Sequence, residues 1–185
     1  MKLLSELDIE SLIKNDQDMM SILRIARDFN LPDWWIGAGF LRNKIWDVLN
    51  DLATPTVTDV DLVYFDKNNV DPRLDWQYDE DLNKIEPSVK WEVRNQARMH
   101  YMNKMKPFLS VEDAMAHWPE TATAIGVKLE GENIKLLFYY GADDLLDMIV
   151  RPTPYFQGDK ISTFYYRIHK KKWLDRWPKL SIKDK

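Results

Sequence analysis

The stretch TDVDLVYFD at residues 58–66 decides the fold. Its β-branched and aromatic residues predict a strand over 58–65. Residues two apart on a strand point to the same face, so Asp59 and Asp61 would present two carboxylates side by side, while the alternate apolar residues face a core. Two like charges held this close are costly unless a cation lies between them. The pair therefore predicts a cation site, and a solvated strand end is the alternative interpretation.

Magnesium is the ion that best fits this pair. It is a hard ion that takes oxygen ligands from one or two carboxylates and completes its shell with water and substrate phosphates. The chain has no cysteine, which excludes Cys-ligated zinc and iron–sulfur sites, and its three histidines share no metal-ligand spacing. We therefore expect Mg²⁺, with Mn²⁺ as the alternative ion.

A glycine turn precedes the acidic strand. Residues 34–39 predict a short strand that ends in Gly37-Ala38-Gly39, and a helix is predicted from Phe40 to about residue 50. Unpaired N–H groups and the helix dipole at such a turn attract phosphate, and glycine lets the phosphate approach the backbone. Arg42, in the first helical turn, adds a forked donor. A purely structural glycine turn is the alternative.

A third acid, Glu92, lies between apolar residues of a predicted strand over 89–93. If that strand neighbours the first, Glu92 joins the pair, and three carboxylates can hold two Mg²⁺ ions. Alternatively, Glu92 stabilises the N-terminus of a helix predicted over 94–105 through the dipole. On that helix Arg94 and Arg98 would share a face. They could clamp a triphosphate or an acceptor, and ordinary surface charge is the alternative.

The rest of the chain predicts further helices and a hairpin. Capping-box patterns open helices at Ser5 and Ser110, and apolar spacing predicts a helix over 16–29. Two strands, 123–129 and 134–139, flank a glycine turn. Strand–helix alternation followed by a hairpin predicts an α+β domain, or an α/β one, with a mixed sheet.

Composition and charge narrow the function. The 185 residues carry a net charge of −4, which argues against a generic nucleic-acid binder. No signal peptide and no membrane-spanning run are visible, so a cytoplasmic location is expected. Residues 160–185 hold nine Lys or Arg and two Asp, a balance of +7 that leaves −11 for residues 1–159. This asymmetry suggests an anionic ligand at one part of the molecule and cations at another.

Together the glycine turn, the paired Asp residues and the later acid resemble the nucleotidyltransferase superfamily that includes DNA polymerase β. Five segments resemble a bacterial nucleotidyltransferase-like family of that superfamily, and the resemblance covers residues 35–180. These segments are Gly37–Asn43, Thr58–Asp66, Trp91–His100, Glu120–Val127 and Arg151–Pro154.

The resemblance implies a nucleotidyltransferase-like fold and assigns roles within it. Asp59 and Asp61 are the metal ligands, and Glu92 is the third catalytic acid, as base or metal ligand. Gly37 and Gly39 are the phosphate turn. Together with Arg42 and Asn43, which follow that turn, and Arg98, which is placed by its spacing from Arg94, they are the residues expected to bind nucleotide. One departure is Ala38, which stands where the superfamily has a second Gly or a Ser.

We therefore expect one nucleotidyltransferase-like domain over 1–185, with N-terminal helices at 1–33, a catalytic core at 34–150 and a basic, aromatic extension at 151–185. The expected activity is Mg²⁺-dependent transfer of a nucleoside monophosphate from an NTP to a hydroxyl of a small-molecule or protein acceptor. A catalytically inactive nucleotide-binding or regulatory module is the alternative. A glycosyltransferase ranks last, because its nucleotide-binding βαβ unit does not precede the Asp pair.

Overall fold

The computed structural model describes residues 5–56, 58–103 and 105–184. The α-helices are α1 (Glu6–Lys14), α2 (Gln17–Phe29), α3 (Gly39–Leu49), α4 (Pro72–Ile85), α5 (Val111–Met115), α6 (Asp143–Leu146), α7 (Ile161–Lys171) and α8 (Trp173–Arg176). The strands are β1 (Trp35–Gly37), β2 (Val60–Tyr64), β3 (Trp91–Asn95), β4 (Ile125–Glu130), β5 (Asn133–Phe138), β6 (Ile149–Val150) and β7 (Ser181–Ile182). None of the helices in these ranges has the length and apolar composition needed to cross a bilayer.

A five-stranded mixed sheet in the order β3-β2-β1-β4-β5 forms the centre of the molecule. The β2–β3 pair is parallel and the other three pairs are antiparallel. Val60, Leu62 and Tyr64 of β2 are buried in the core, as the alternation of residue types predicts. The sheet and its helices confirm the predicted α+β fold class.

Both N-terminal helices are capped by a side chain, at Ser5 as the sequence predicts and at Asp16, which the sequence placed inside the second helix. The Ser5 hydroxyl accepts a hydrogen bond from the N–H of Asp8, and the Asp16 carboxylate accepts one from the N–H of Met19. Asn30 adopts a left-handed conformation at the end of α2 and turns the chain toward β1. The buried side of α2 packs against β4 and thereby covers the centre of the sheet.

The C-terminal segment packs on α3. Trp173 and Trp177 make edge-to-face contacts with Trp46, at ring-centroid distances of 5.6 and 5.1 Å. The indole N–H of Trp177 donates to Asp47 at 2.8 Å, and β7 continues from there to pair with β6. These contacts join the segment to the same hydrophobic core as the sheet. The proposed division of the chain at residues 33 and 150 remains a prediction.

The helix predicted over 94–105 is wrong. β3 extends to Asn95, and a 3₁₀-helix follows over Gln96–Asn103. The physical reason is the Asn95 side chain, which donates to the carbonyl of Asp66 at 2.8 Å and accepts from the N–H of Ala97 at 3.0 Å. These bonds hold Asn95 in the strand, so Arg94 and Arg98 do not share a helix face.

Candidate functional site

Strands β2 and β3 bring the predicted acids together. Asp61 and Glu92 are register partners on these parallel strands, and Asp59 lies one residue before β2. The Lys90 ammonium lies 2.8 Å from an Asp59 carboxylate oxygen and 3.4 Å from one of Glu92. A side-chain cation therefore bridges two of the three carboxylates, at the place where the sequence predicts a metal ion.

Asp61 is a partly buried acid with a raised pKa. Burial raises the pKa of its carboxyl group to about 6, and the nearby charge of Glu92 adds to the rise. Arg42 and Lys171 act in the opposite direction, since their positive charges favour the carboxylate. Asp61 thus stands in a partly desolvated position where a cation is favourable.

The glycine turn is shaped by close packing on both sides of Ala38. A Cβ atom at Gly37 would lie 2.5 Å from the Trp118 ring, and one at Gly39 would lie 2.9 Å from the Thr58 hydroxyl. Ala38 itself carries the unusual backbone, with φ 36° and ψ −104°, which is a conformation that favours glycine. Helix α3 begins directly after it and has no side-chain cap bond.

Arg42 is a buried cation at this turn. Its guanidinium carbon lies 4.5 Å from the Trp173 ring centroid and 5.2 Å from that of Trp46, and its Nη2 donates to Asn43 Oδ1 at 2.8 Å. Its Nε is buried and has no hydrogen-bond partner among the residues that the structure describes. Burial lowers the pKa of Arg42 to about 10, although the negative charge of Glu120 acts in the opposite direction. The side chain therefore stays charged at neutral pH.

These features open into one cavity of about 500 Å³, here called the cationic cavity. Ala38, Gly39 and Thr58 border it, and Asp61 is the acid in its lining. Its lining also holds four basic side chains, which are Arg42, Arg94, Arg167 and Lys171. Such a lining suits a ligand with several negative charges.

Arg167 and Lys171 come from α7, and sequence reasoning did not assign them to the site. Arg167 Nε donates to a carboxylate oxygen of the fully buried Glu120 at 2.9 Å, and the Thr123 hydroxyl donates to the other oxygen at 2.8 Å. The pair anchors α7 beside the sheet. The charge asymmetry of residues 160–185 was the available signal, because it indicated that the tail faces an anionic ligand.

Some predicted nucleotide-binding residues lie outside the cavity lining. Arg98 forms an ion pair with the buried Asp75 of α4. Asn43 is buried behind Arg42, and Gly37 packs against Trp118. Their assignment as nucleotide ligands remains a prediction; in the structure they support the elements that carry the lining.

A second cavity of about 560 Å³, here called the acidic cavity, adjoins the first. Thr58 borders both, but Asp59 lines the acidic cavity, whereas Asp61 lines the cationic one. The acidic cavity has two basic residues in its lining, Lys44 and Lys90, and five acidic ones, which are Asp16, Asp18, Asp47, Asp59 and Glu86. The acidic edge of β2 therefore separates two cavities of opposite charge.

The donor set can be tested against magnesium. In the described ranges, no group of three or more His, Asp or Glu side chains is gathered closely enough to form a complete metal site. Mg²⁺, however, is usually held by only one or two carboxylates together with substrate phosphates. Asp61, with Glu92 opposite it and the cationic cavity beside it, fits an ion that arrives with a nucleotide.

Comparison with known proteins agrees with this geometry. A family model described as nucleotidyltransferase matches residues 24–182. An NMR structure described as revealing a CCA-adding enzyme head domain is 34% identical to the chain, with a TM-score of 0.89, and the match covers 98% of this chain and 97% of that one. The comparison with curated proteins found no significant match.

CCA-adding enzymes share the fold at lower identity. An apo form of one is 14% identical with a TM-score of 0.61, and the Thermotoga maritima enzyme complexed with tRNA is 14% identical with a TM-score of 0.60. Each match covers 95% of this chain and 42% of the enzyme, so the chain spans less than half of their length. Because the family model and the 34%-identical head domain both cover most of the sequence, the chain belongs to the nucleotidyltransferase family.

Proposed function

We propose that this chain transfers a nucleoside monophosphate from a Mg²⁺-bound NTP to a hydroxyl group of a small-molecule or protein acceptor. The observation that carries the proposal is the position of Asp61, opposite Glu92 and at the border of the cationic cavity. A carboxylate whose pKa burial raises to about 6, beside four basic side chains, suits a divalent ion bound to a polyphosphate.

Each part of the cavity has a role in this proposal. Arg42, Arg167 and Lys171 bind the β- and γ-phosphates, and Arg42 offers a buried Nε that has no partner within the described part of the chain. The backbone at Gly39 leaves room for the triphosphate beside α3. Phe108 and Trp118 line the same cavity and suit the flat, apolar faces of a base.

The acidic residues divide between the metal and the proton. Asp59 and Asp61 would hold Mg²⁺, which would supply charge neutralisation at the reacting phosphate, and Glu92 would take up the proton. The acceptor oxygen forms a bond to the α-phosphorus, while the bond from that phosphorus to the α–β bridging oxygen breaks. Pyrophosphate leaves with the electron pair, and the hydroxyl proton passes to the Glu92 carboxylate.

Incubation with α-labelled NTPs, Mg²⁺ and a metabolite extract tests the proposal. We expect a labelled product that depends on Mg²⁺ and disappears in Asp61→Asn. Asp159→Asn is the matched control, since Asp159 is exposed and lies outside both cavity linings. Labelling that persists in Asp61→Asn would contradict the assignment.

A catalytically silent nucleotide-binding module is the second candidate. It is favoured by the Lys90 bridge between Asp59 and Glu92, which already neutralises part of the site. It is also favoured by Ala38, whose backbone costs energy that a glycine would avoid. Tight NTP binding without any labelled product, and with Glu92→Gln indistinguishable from the parent protein, would select this candidate.

A further inference from the structure

The acidic cavity has an apolar floor and a charged rim. Its apolar lining includes Met19, Phe40, Val60 and Val89, of which the first three are buried. A volume of about 560 Å³ is in the range of small-molecule sites. The cavity thus has the size and the apolar contact area for an organic ligand rather than for a single ion.

Part of its negative charge has no neighbouring cation. Lys44 pairs with Asp16 at 2.6 Å, and Lys90 pairs with Asp59 at 2.8 Å. Among the residues that the structure describes, neither Asp18 nor Glu86 has a basic partner within 4.0 Å. Both carboxylates line the cavity. One oxygen of Glu86 accepts from the N–H and the hydroxyl of Ser88, so a cationic ligand can pair with Asp18 and with the other oxygen of Glu86.

Asp47 adds negative charge to the cavity, but its oxygens are already hydrogen-bonded within the fold. It accepts from the backbone N–H and the hydroxyl of Thr56 at 2.6 and 2.7 Å, and from Trp177 at 2.8 Å. Arg176 lies 3.9 Å away. Asp47 therefore adds to the negative potential, while its hydrogen-bonding capacity is used within the fold.

The position of the cavity matches that of an incoming acceptor. In an in-line displacement the attacking oxygen and the leaving pyrophosphate lie on opposite sides of the α-phosphorus. If the pyrophosphate leaves on the side of the cationic cavity, the acceptor approaches from the other side of the acidic edge, where Asp59 faces the acidic cavity.

We infer that the acidic cavity is the acceptor site and that the acceptor is a small organic molecule carrying both a hydroxyl and a protonated amine. This inference rests on the proposed transfer activity and names its substrate class. The amine pairs with Asp18 and Glu86, and the apolar body lies on Phe40 and Val60. The hydroxyl lies at the acidic edge, where Lys90 bridges Asp59 and Glu92, the carboxylate that takes the proton. A nucleic-acid 3′ end is disfavoured, because its phosphates would face the acidic rim.

Binding to the parent protein without nucleotide tests the site separately from catalysis. The probes are 2-amino-1-phenylethanol and 1-phenyl-1,2-ethanediol, which share a ring and a hydroxyl but differ in the amine. NMR titration of the labelled protein follows the resonances of the acidic cavity. We expect the amine to bind about tenfold more tightly than the diol, with a preference that weakens in salt.

Substitutions in the cavity lining test which residues cause the preference for the amine. Asp18→Asn and Glu86→Gln are expected to bring the two probes close to equal affinity. Glu80→Gln is the matched control, because Glu80 is an exposed acid of α4 outside the cavity lining. Circular dichroism checks that each variant is folded. Equal binding of the two probes by the parent protein, or an amine preference that both variants retain, overturns the inference.

A transfer assay then separates the two proposals. Labelled NTP and Mg²⁺ are incubated with the amino alcohol, with the diol or with a short RNA that ends in a 3′-hydroxyl. Labelling of the amino alcohol in preference to the others supports both proposals. Labelling of RNA or of the diol in preference leaves the transfer activity standing and overturns the acceptor class. Amine binding in the acidic cavity with no labelled product supports an amine site but contradicts the proposed transfer, and with it the assignment of this site to an acceptor.

Discussion

The two cavities beside β2 differ in charge more than in size. The cationic cavity has four basic side chains against one carboxylate, whereas the acidic cavity has five carboxylates against two lysines. Only a few residues separate them, with Asp61 on one side and Asp59 on the other. The net charge of −4 therefore conceals two neighbouring regions of opposite charge. The boundary between them coincides with the residues expected to carry the chemistry.

Asp61→Asn is expected to break this arrangement most severely. Removing the carboxylate at the cationic cavity lowers the transfer rate by at least about a thousandfold, or about 4 kcal/mol of transition-state stabilisation. Steady-state kinetics and Mg²⁺–NTP titration measure the loss. Binding of the amino alcohol to the acidic cavity should remain unchanged, so a parallel loss of both would mean that the cavities are not independent.

The pKa of Asp61 predicts a pH-dependent stability. Its folded pKa of about 6 lies above its ordinary value of 3.8, so the folded state holds a proton that the unfolded state has lost between pH 4 and 6. Stability from this group therefore falls as pH rises through that window, by roughly 2 kcal/mol. We expect Asp61→Asn to melt above the parent protein at pH 7, with the gap closing near pH 4. A gap of equal size at both pH values would contradict the cause.

Lys171→Ala tests whether the cationic cavity binds the NTP phosphates. Lys171 lines that cavity, whereas its neighbour Lys170 does not. Loss of one charged phosphate contact is expected to raise the KM for NTP about tenfold with little change in kcat. Lys170→Ala is the matched control in the same kinetic measurement. Equal effects of the two substitutions would indicate a diffuse electrostatic contribution instead of a contact.

Lys90→Gln gives the smallest expected effect. The Lys90 ammonium competes with a metal ion for Asp59, but its side chain is 69% exposed, so the competition is weak. We expect Mg²⁺ affinity to rise about two- to fivefold, measured as the Mg²⁺ concentration that gives half of the thermal stabilisation. Lys84→Gln, at an exposed pair on α4, should leave that value unchanged.

The acidic edge was predictable because it depends on local patterns. Alternation in β2 fixes the direction of Asp61, and Glu92 falls opposite it once β3 pairs in parallel. Asp59 precedes β2 and lines the other cavity, so alternation does not fix its direction. The glycine turn was recognisable from its composition, although nothing in the sequence indicated the strained backbone of Ala38. The family and the α+β class followed from the same residues, and both are confirmed.

What the sequence did not predict depends on distant contacts. Glu120 and Arg167 are 47 residues apart, and nothing local marks either as a partner of the other. Arg98 was expected to bind nucleotide because of its spacing from Arg94, and its ion pair with the buried Asp75 could not be foreseen from that spacing. The end of β3 was misjudged because the Asn95 side chain overrides local helix preference through bonds to residues 66 and 69.

Residues 161–177, which hold Arg167 of α7 against Glu120 and place Trp173 and Trp177 on Trp46, are also the last part of the cationic cavity to be synthesised. A ribosome adds roughly 5–20 residues per second, and it delivers Asp59, Asp61 and Glu92 long before residues 161–177. A nascent chain thus carries the acids without Arg167, without Lys171 and without the Trp173 ring that covers Arg42. Until α7 and α8 have been translated and packed, the chain therefore lacks two of the four basic side chains of the cationic cavity, on which the proposed nucleotide site depends.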